Sequence, residues 1–318
     1  MILKVLGPRR FAPPFAIGHE CVAEVVACGE AVTRVEPGQL VVVPWAISCG
    51  ECQRCQSGLT SHCAAHPETM ISAYGFGEPM GDWGGMVSDL VRVPHADGML
   101  VKIPNGVAPL ALAGASDNIP DAWRTVAPQL RRWPGSRVLV AAGGAPSIGL
   151  YAAGIAVALG AVDVDYVDWQ RERLAIAADL GANPIELPRN GTYRAMRKLL
   201  NRTDRKYCIA VDTTASRSGL ENSIRALDAG GICTSVGYYF ERRVPIPFMH
   251  MYVNNVTFQT GLSNPRADLP NVIELISSKR FVPERVATLV ADWEDAHEAF
   301  LERTTKVVVT RPRLHLSG

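Results

Sequence analysis

The chain has no excess of charge of either sign: 32 basic and 31 acidic side chains leave a net charge of +1 over 318 residues. That balance offers no electrostatic handle to nucleic acid or to an anionic membrane, and small neutral partners are expected instead. It also has no unbroken apolar run. The longest uncharged stretch, Val138 to Val162, is long enough to span a bilayer, but five glycines and Pro146 interrupt it. Its opening V-L-V followed by G-G-A-P reads as a buried strand entering a tight turn. Nor is a secretory leader legible, because Lys4, Arg9 and Arg10 are not followed by a continuous hydrophobic segment. A cytoplasmic location is expected.

What the chain does have is sulfur at close spacing. Cys49, Cys52, Cys55 and Cys63 follow the pattern C-x2-C-x2-C-x7-C. Cytosolic thiols stay reduced, so disulfides are disfavoured, and thiolates two residues apart converge readily on one tetrahedral ion. Zinc is the expected occupant, with an iron–sulfur cluster as the alternative. Four sulfurs fill the shell and leave no place for substrate, so the ion would brace a loop. Cys21, Cys28, Cys208 and Cys233 are expected to be small core residues.

From Arg137 the pattern is a buried strand, the turn G143-G-A-P-S-I-G149, a small-residue helix and a second strand ending in Asp168, nineteen residues after Gly149. This order matches a βαβ unit whose helix N-terminus receives a pyrophosphate. Gly143, Gly144, Ser147, Ile148 and Gly149 would line that cradle, and Asp168 would accept from the adenosine ribose and favour NAD over NADP. Pro146 occupies the place of the central glycine of G-x-G-x-x-G, which its missing N–H allows in a first helical turn. Arg171 and Arg173 read as a solvated helix face. Further alternation predicts a strand C208-I-A-V-D212, a helix to Ala229, a strand Gly230 to Gly237 whose end places Val236 and Gly237 at the cofactor, a strand Val256 to Gly261, and a helix from about Asp268 to Lys279. The sum is a doubly wound parallel sheet.

G18-H-E20, V35-E-P-G-Q-L-V-V-V-P44, the cysteine lobe, W83-G-G-M-V-S-D-L-V-R-V-P94, the nucleotide fold and K306-V-V-V-T310 together resemble the zinc-dependent medium-chain alcohol dehydrogenase superfamily. The resemblance implies an α/β protein: a GroES-like β-barrel catalytic domain over residues 1–118 with a structural zinc lobe at 45–65, a Rossmann domain over 119–262, and a segment 263–318 returning to the first domain. It implies a second, catalytic zinc, held in family members by a cysteine of an N-terminal C-G-S/T-D motif, the His of G-H-E and a residue just before the nucleotide domain. His19 matches the second, with Glu20 as the adjacent carboxylate. S116-D-N-I-P-D-A-W123 is similar to the S-D-x-x-P-T-G-Y/W segment of the branch that includes glutathione-independent formaldehyde dehydrogenases, which makes Asp117 the third; a helix N-cap is its plain alternative. The sequence begins just after the point where the family's cysteine would stand, so a longer natural protein is expected. Asp121 replaces the small hydroxyl residue usually beside the nicotinamide, and Trp45 falls at a position lining the substrate pocket.

The function so implied is zinc-dependent hydride transfer between an alcohol or aldehyde and NAD, in a homodimer or homotetramer. The alternatives are a zinc-independent quinone or enone reductase and a catalytically impaired NAD-binding protein. His62, His66, His95, His250, His297 and His315 have no partner motif and read as surface or satisfied core residues.

Overall fold

A computed structural model describes residues 13–66, 71–189, 192–203 and 205–313; Lys4, Arg9, Arg10 and His315 lie outside them. The first unit is built on three short antiparallel strands, β1 (Cys21–Glu24), β2 (Leu40–Val43) and β3 (Val101–Lys102), in that order. Val22 pairs with Val42 and Val41 with Lys102. Because side chains alternate along a strand, Val41 and Val43 point into a core with Val25, Ile47, Tyr74 and Met99, while Val42 joins the core of the second unit. That one strand is buried on both faces and welds the two units together.

The second unit is a six-stranded sheet, β4 (Val138–Ala141), β5 (Val164–Asp168), β6 (Asn183–Glu186), β7 (Tyr207–Asp212), β8 (Leu227–Ser235) and β9 (Thr257–Thr260). Its spatial order is β6-β5-β4-β7-β8-β9 and every pairing is parallel. The order reverses between β4 and β7, which opens a crevice at their carboxyl ends. Helix α1 (Gln53–Gln56) lies in the cysteine lobe, α2 (Ala96–Met99) precedes β3, and α3 (Asn118–Arg132) leads into the sheet. After it come α4 (Pro146–Ala158), α5 (Arg171–Asp179), α6 (Thr192–Thr203), α7 (Arg217–Arg225), α8 (Phe248–Asn254) and α9 (Pro265–Ser277). The uncharged run becomes β4, its turn and α4. That helix is apolar on all sides because it is buried on all sides, and no helix among the described residues is long and apolar enough to cross a membrane.

Two boundaries differ from the sequence reading. The helix expected to reach Ala229 stops at Arg225, because β8 begins at Leu227 and passes through Gly230 in the left-handed region, φ +77°. The last long helix starts at Pro265, three residues early, since proline suits the first turn, where an N–H has no intrahelical acceptor. The chain then returns through β10 (Leu289–Asp292) and β11 (Val307–Thr310), a parallel pair that brings Lys306 back to the first unit.

Candidate active site and sulfur cage

The four cysteine sulfurs converge, all within 4.8 Å of one another. Short loop geometry aims amides at them: Cys49 N–H donates to Cys63 Sγ at 3.3 Å, Cys52 N–H to Cys49 Sγ at 3.3 Å, and Ala64 and Cys55 N–H to Cys52 Sγ at 3.4 and 3.5 Å. Such donors favour thiolates, and the amides of Cys55 and Ala64 lower Cys52 to about 6. Burial instead pushes the Cys55 and Cys63 thiols up. The set fits a tetrahedral zinc closed to substrate.

The lobe also reaches the crevice. Ser61, two residues before Cys63, donates its hydroxyl to the Ser263 carbonyl at 2.5 Å, and its amide to Asn264 Oδ1 at 3.0 Å. Ser263 in turn donates to Asp117 Oδ1 at 2.5 Å and accepts from Trp45 Nε1 at 3.0 Å. Asp117 immediately precedes α3 but makes no side-chain cap to it. Its other oxygen, Oδ2, lies 3.4 Å from His19 Nε2. Burial alone would lower the imidazole, but the hydrogen bond and charge of Asp117, with Glu20 helping, hold it above its ordinary value. Burial likewise opposes ionisation of Asp117, and His19, the Ser263 hydroxyl and Lys306 outweigh it, so the carboxyl titrates low. Two ligands about 2.0–2.2 Å from one tetrahedral ion stand about 3.3–3.6 Å apart, so this pair fits a shared zinc. The His19 ring is flanked by Phe76 at 5.2 Å and, edge-on, by Trp45 at 6.5 Å, which gives the place an aromatic wall.

Glu20 does not face that pair alone. Its Oε2 is ion-paired with Lys306 and its Oε1 accepts from the Asn118 amide at 3.0 Å. Asp121, one turn into α3, is paired with Arg124 at 2.5 Å, and Arg124 also donates to the Gly261 carbonyl at 2.6 Å. Burial, with the charge of Asp117 adding to it, pushes Asp121 up to about 7.

At the nucleotide crevice the picture is mixed. A Cβ on Gly144 would lie 2.7 Å from Ala215 Cβ, so the turn needs glycine there. The Gly144 and Ala145 amides are committed to the Thr214 and Thr213 carbonyls. Phosphate is therefore left to the first turn of α4, where Ser147 and Ile148 have no intrahelical acceptor. Val236 and Gly237 follow β8, and the Val236 amide donates to the Asp212 carbonyl at 3.0 Å.

Asp168 differs from expectation. It is fully buried and takes Arg173 Nε at 2.6 Å and Nη2 at 2.7 Å, with Trp169 and Gln170 amides and the Tyr166 hydroxyl besides. Arg173 is thus no solvated residue; the first turn of α5 folds it back over the end of β5. Cys28 is exposed, in the loop after β1, and not in the core. His66 and His95 do have partners: each other, with Nε2 atoms 2.9 Å apart. The residues that sequence reasoning missed are Ser61, Phe76, Asn118, Ser263 and Lys306. Lys306 carried a signal as the first residue of the closing K-V-V-V-T, and Asn118 lay within S116-D-N-I-P-D-A-W123.

The comparisons agree with this layout. Residues 2–105 match the alcohol dehydrogenase GroES-like domain and residues 147–278 the zinc-binding dehydrogenase domain. A Mycobacterium tuberculosis protein named a probable zinc-binding alcohol dehydrogenase is 31% identical over 92% of this chain and 72% of its own length. The chain belongs to the zinc-binding alcohol dehydrogenase family. It is an oxidoreductase of a zinc-binding family, and its four converging cysteines could hold that metal. The glutathione-independent formaldehyde dehydrogenase of Pseudomonas aeruginosa is 36% identical over 55% of this chain, which spans 44% of that protein. In structure, the dehydrogenase is similar to an alcohol dehydrogenase from Thermus sp. ATN1, with a TM-score of 0.84 and 29% identity over 95% of this chain and 86% of that one.

Proposed function

We propose that this dehydrogenase oxidises an alcohol, or reduces the matching aldehyde, with NAD, and that His19 and Asp117 hold the zinc that takes part. The observation that carries this reading is the 3.4 Å approach of His19 Nε2 to Asp117 Oδ2 beside the crevice. A zinc held by His19 and Asp117 would supply Lewis acidity toward the alcohol or carbonyl oxygen, and a nicotinamide would supply the hydride acceptor. The chain does the rest. Ser263 fixes the Asp117 carboxylate, leaving Oδ2 toward His19. Trp45 and Phe76 exclude water and favour a small, largely apolar alcohol. Ser147 and Ile148 receive the pyrophosphate, while Cys49, Cys52, Cys55 and Cys63 hold a zinc that braces the lobe.

NAD is favoured over NADP because Arg173 is spent on Asp168 and is not free to bind a 2′-phosphate. A homodimer is supported by the open edge of β9 and by the neighbouring α8, on which Phe248 and Tyr252 are 70% and 73% exposed. Four reduced thiols suit a cytoplasmic setting. The test is NADH formation from a series of short primary alcohols and formaldehyde, by parent and Asp117→Asn. Turnover that depends on Asp117 is expected; NADH formation indifferent to it would remove Asp117 from the reacting zinc, and no NADH from any alcohol, with NADH instead consumed by a quinone or enone, would favour the zinc-independent reductase.

A further inference from the structure

His66 and His95 meet beside the sulfur lobe. His66 lies three residues after Cys63, and His95 directly precedes α2. Both imidazoles are half-buried, and their surroundings fix them. Trp83 stands edge-on to the His66 ring, with 5.2 Å between centroids and 84° between planes. The His95 carbonyl accepts the Gly98 and Met99 amides at 3.0 and 2.8 Å. Helix α2 is in turn seated against the lobe so closely that a Cβ on Gly98 would lie 2.4 Å from the Cys49 carbonyl oxygen. The outcome is a pair of Nε2 atoms 2.9 Å apart, joined by one proton that either ring can donate. Glu51, exposed on the same lobe, is close enough for its charge to act on His95.

We propose that His66 and His95 form a further metal site, in which a divalent ion with a preference for imidazole, such as Zn2+, takes the place of the shared proton. Two imidazole ligands about 2.0–2.1 Å from a tetrahedral ion stand about 3.3–3.4 Å apart. Ring centroids 5.1 Å apart let each imidazole swing in place by the few tenths of an ångström needed. Burial and the charge of His66 disfavour the His95 cation, which keeps its ring neutral and a lone pair available to metal. Glu51 supplies a carboxylate to balance the ion, as a ligand or through water. The site is independent of His19 and Asp117. Two neutral ligands hold a dication less firmly than four thiolates do, so this ion comes and goes with free zinc and is not carried through purification with the cage metal. While bound, it ties the segment just past Cys63 to the turn that opens α2.

The test uses the full chain carrying His19→Ala, so that the crevice takes no metal, with the cysteine cage filled by zinc. Dialysed against micromolar free Zn2+, this protein is expected to hold one equivalent more than after passage over a chelating resin, and to unfold at a higher temperature. Adding His66→Gln or His95→Gln is expected to remove that equivalent and the thermal shift while the cage zinc stays. Glu51→Gln is expected to weaken Zn2+ binding about 10-fold. Cu2+ in place of Zn2+ is expected to give an electron paramagnetic resonance spectrum with couplings from two imidazole nitrogens. Absence of an extra equivalent, or an extra equivalent that both histidine variants retain, would overturn the proposal. Should those variants lose the cage zinc through poor folding, the Cu2+ spectrum decides, and coupling to fewer than two nitrogens would overturn it equally.

Discussion

Ser263 and Asp117, far apart in sequence, meet through a 2.5 Å hydrogen bond, and Ser263 is itself held by Ser61 of the sulfur lobe. The lobe is therefore mechanically continuous with the crevice: the cage stiffens Ser61, Ser61 fixes the Ser263 backbone, and the Ser263 hydroxyl aims Asp117. A zinc that touches no substrate can still set the geometry of one that does.

Ser263→Ala breaks this chain at its middle. It leaves the Trp45 N–H buried without its acceptor and one Asp117 oxygen without its donor. An unfolding titration is expected to show a loss of about 1–3 kcal/mol, and metal affinity at the second site is expected to fall about 10–100-fold, as for other groups that orient a ligand. Unchanged metal affinity would mean that Asp117 is aimed by something else.

Cage metal should be released as the solution is acidified. Thiolates are the ligands, so protons compete with zinc; burial works against the ionised form of Cys55 and Cys63 while loop amides favour that of Cys52, so the cage depends on its metal to keep all four sulfurs ionised. Release into a chromophoric chelator is expected to accelerate as pH falls. Cys52→Ser is expected to lose one zinc equivalent and unfold at a lower temperature.

Asp121 sets a second pH dependence of opposite sense to that of an ordinary surface carboxylate. Its folded-state value of about 7 lies above the ordinary aspartate value of 3.8, so the unfolded chain ionises first as pH rises. Stability from this group is full at low pH and is lost between about 4 and 7. Asp121→Asn is expected to flatten the stability profile over that window, measured by thermal unfolding; an unchanged slope would show that Arg124 keeps Asp121 ionised throughout.

Arg173→Met should test the buried pair at the end of β5. Removing one member of such a pair leaves an uncompensated charge and costs about 3–5 kcal/mol. Asp168→Ser leaves the guanidinium uncompensated at a similar cost but frees it, and the ratio of NADP to NAD turnover is expected to rise. If the ratio stays put, Arg173 does not reach the ribose.

Local spacing made much of this legible in the sequence. The four cysteines lie within one short loop, so their convergence is a property of the loop, and the strand, glycine turn and helix after Arg137 declare themselves through composition. His19 and Asp117 came from motif resemblance, and the fold brings them together. Ser263 was invisible because it reaches the crevice from a distant turn of the chain with no local pattern to mark it, and Lys306, though it opens K-V-V-V-T, gave no sign there that Glu20 is its partner. Arg173 was misread for a related reason: a charged residue in a first helical turn looks solvated until the preceding strand supplies a buried acid for it to cover.

The most direct measurement is zinc content and alcohol-dependent NADH formation on the same samples of parent and His19→Ala. The parent is expected to carry two zinc equivalents and turn over; His19→Ala is expected to keep the cage zinc, lose the other and lose turnover. A His19→Ala protein that holds the same zinc and oxidises alcohol at the parent's rate would contradict the assignment of reactivity to the His19 and Asp117 pair.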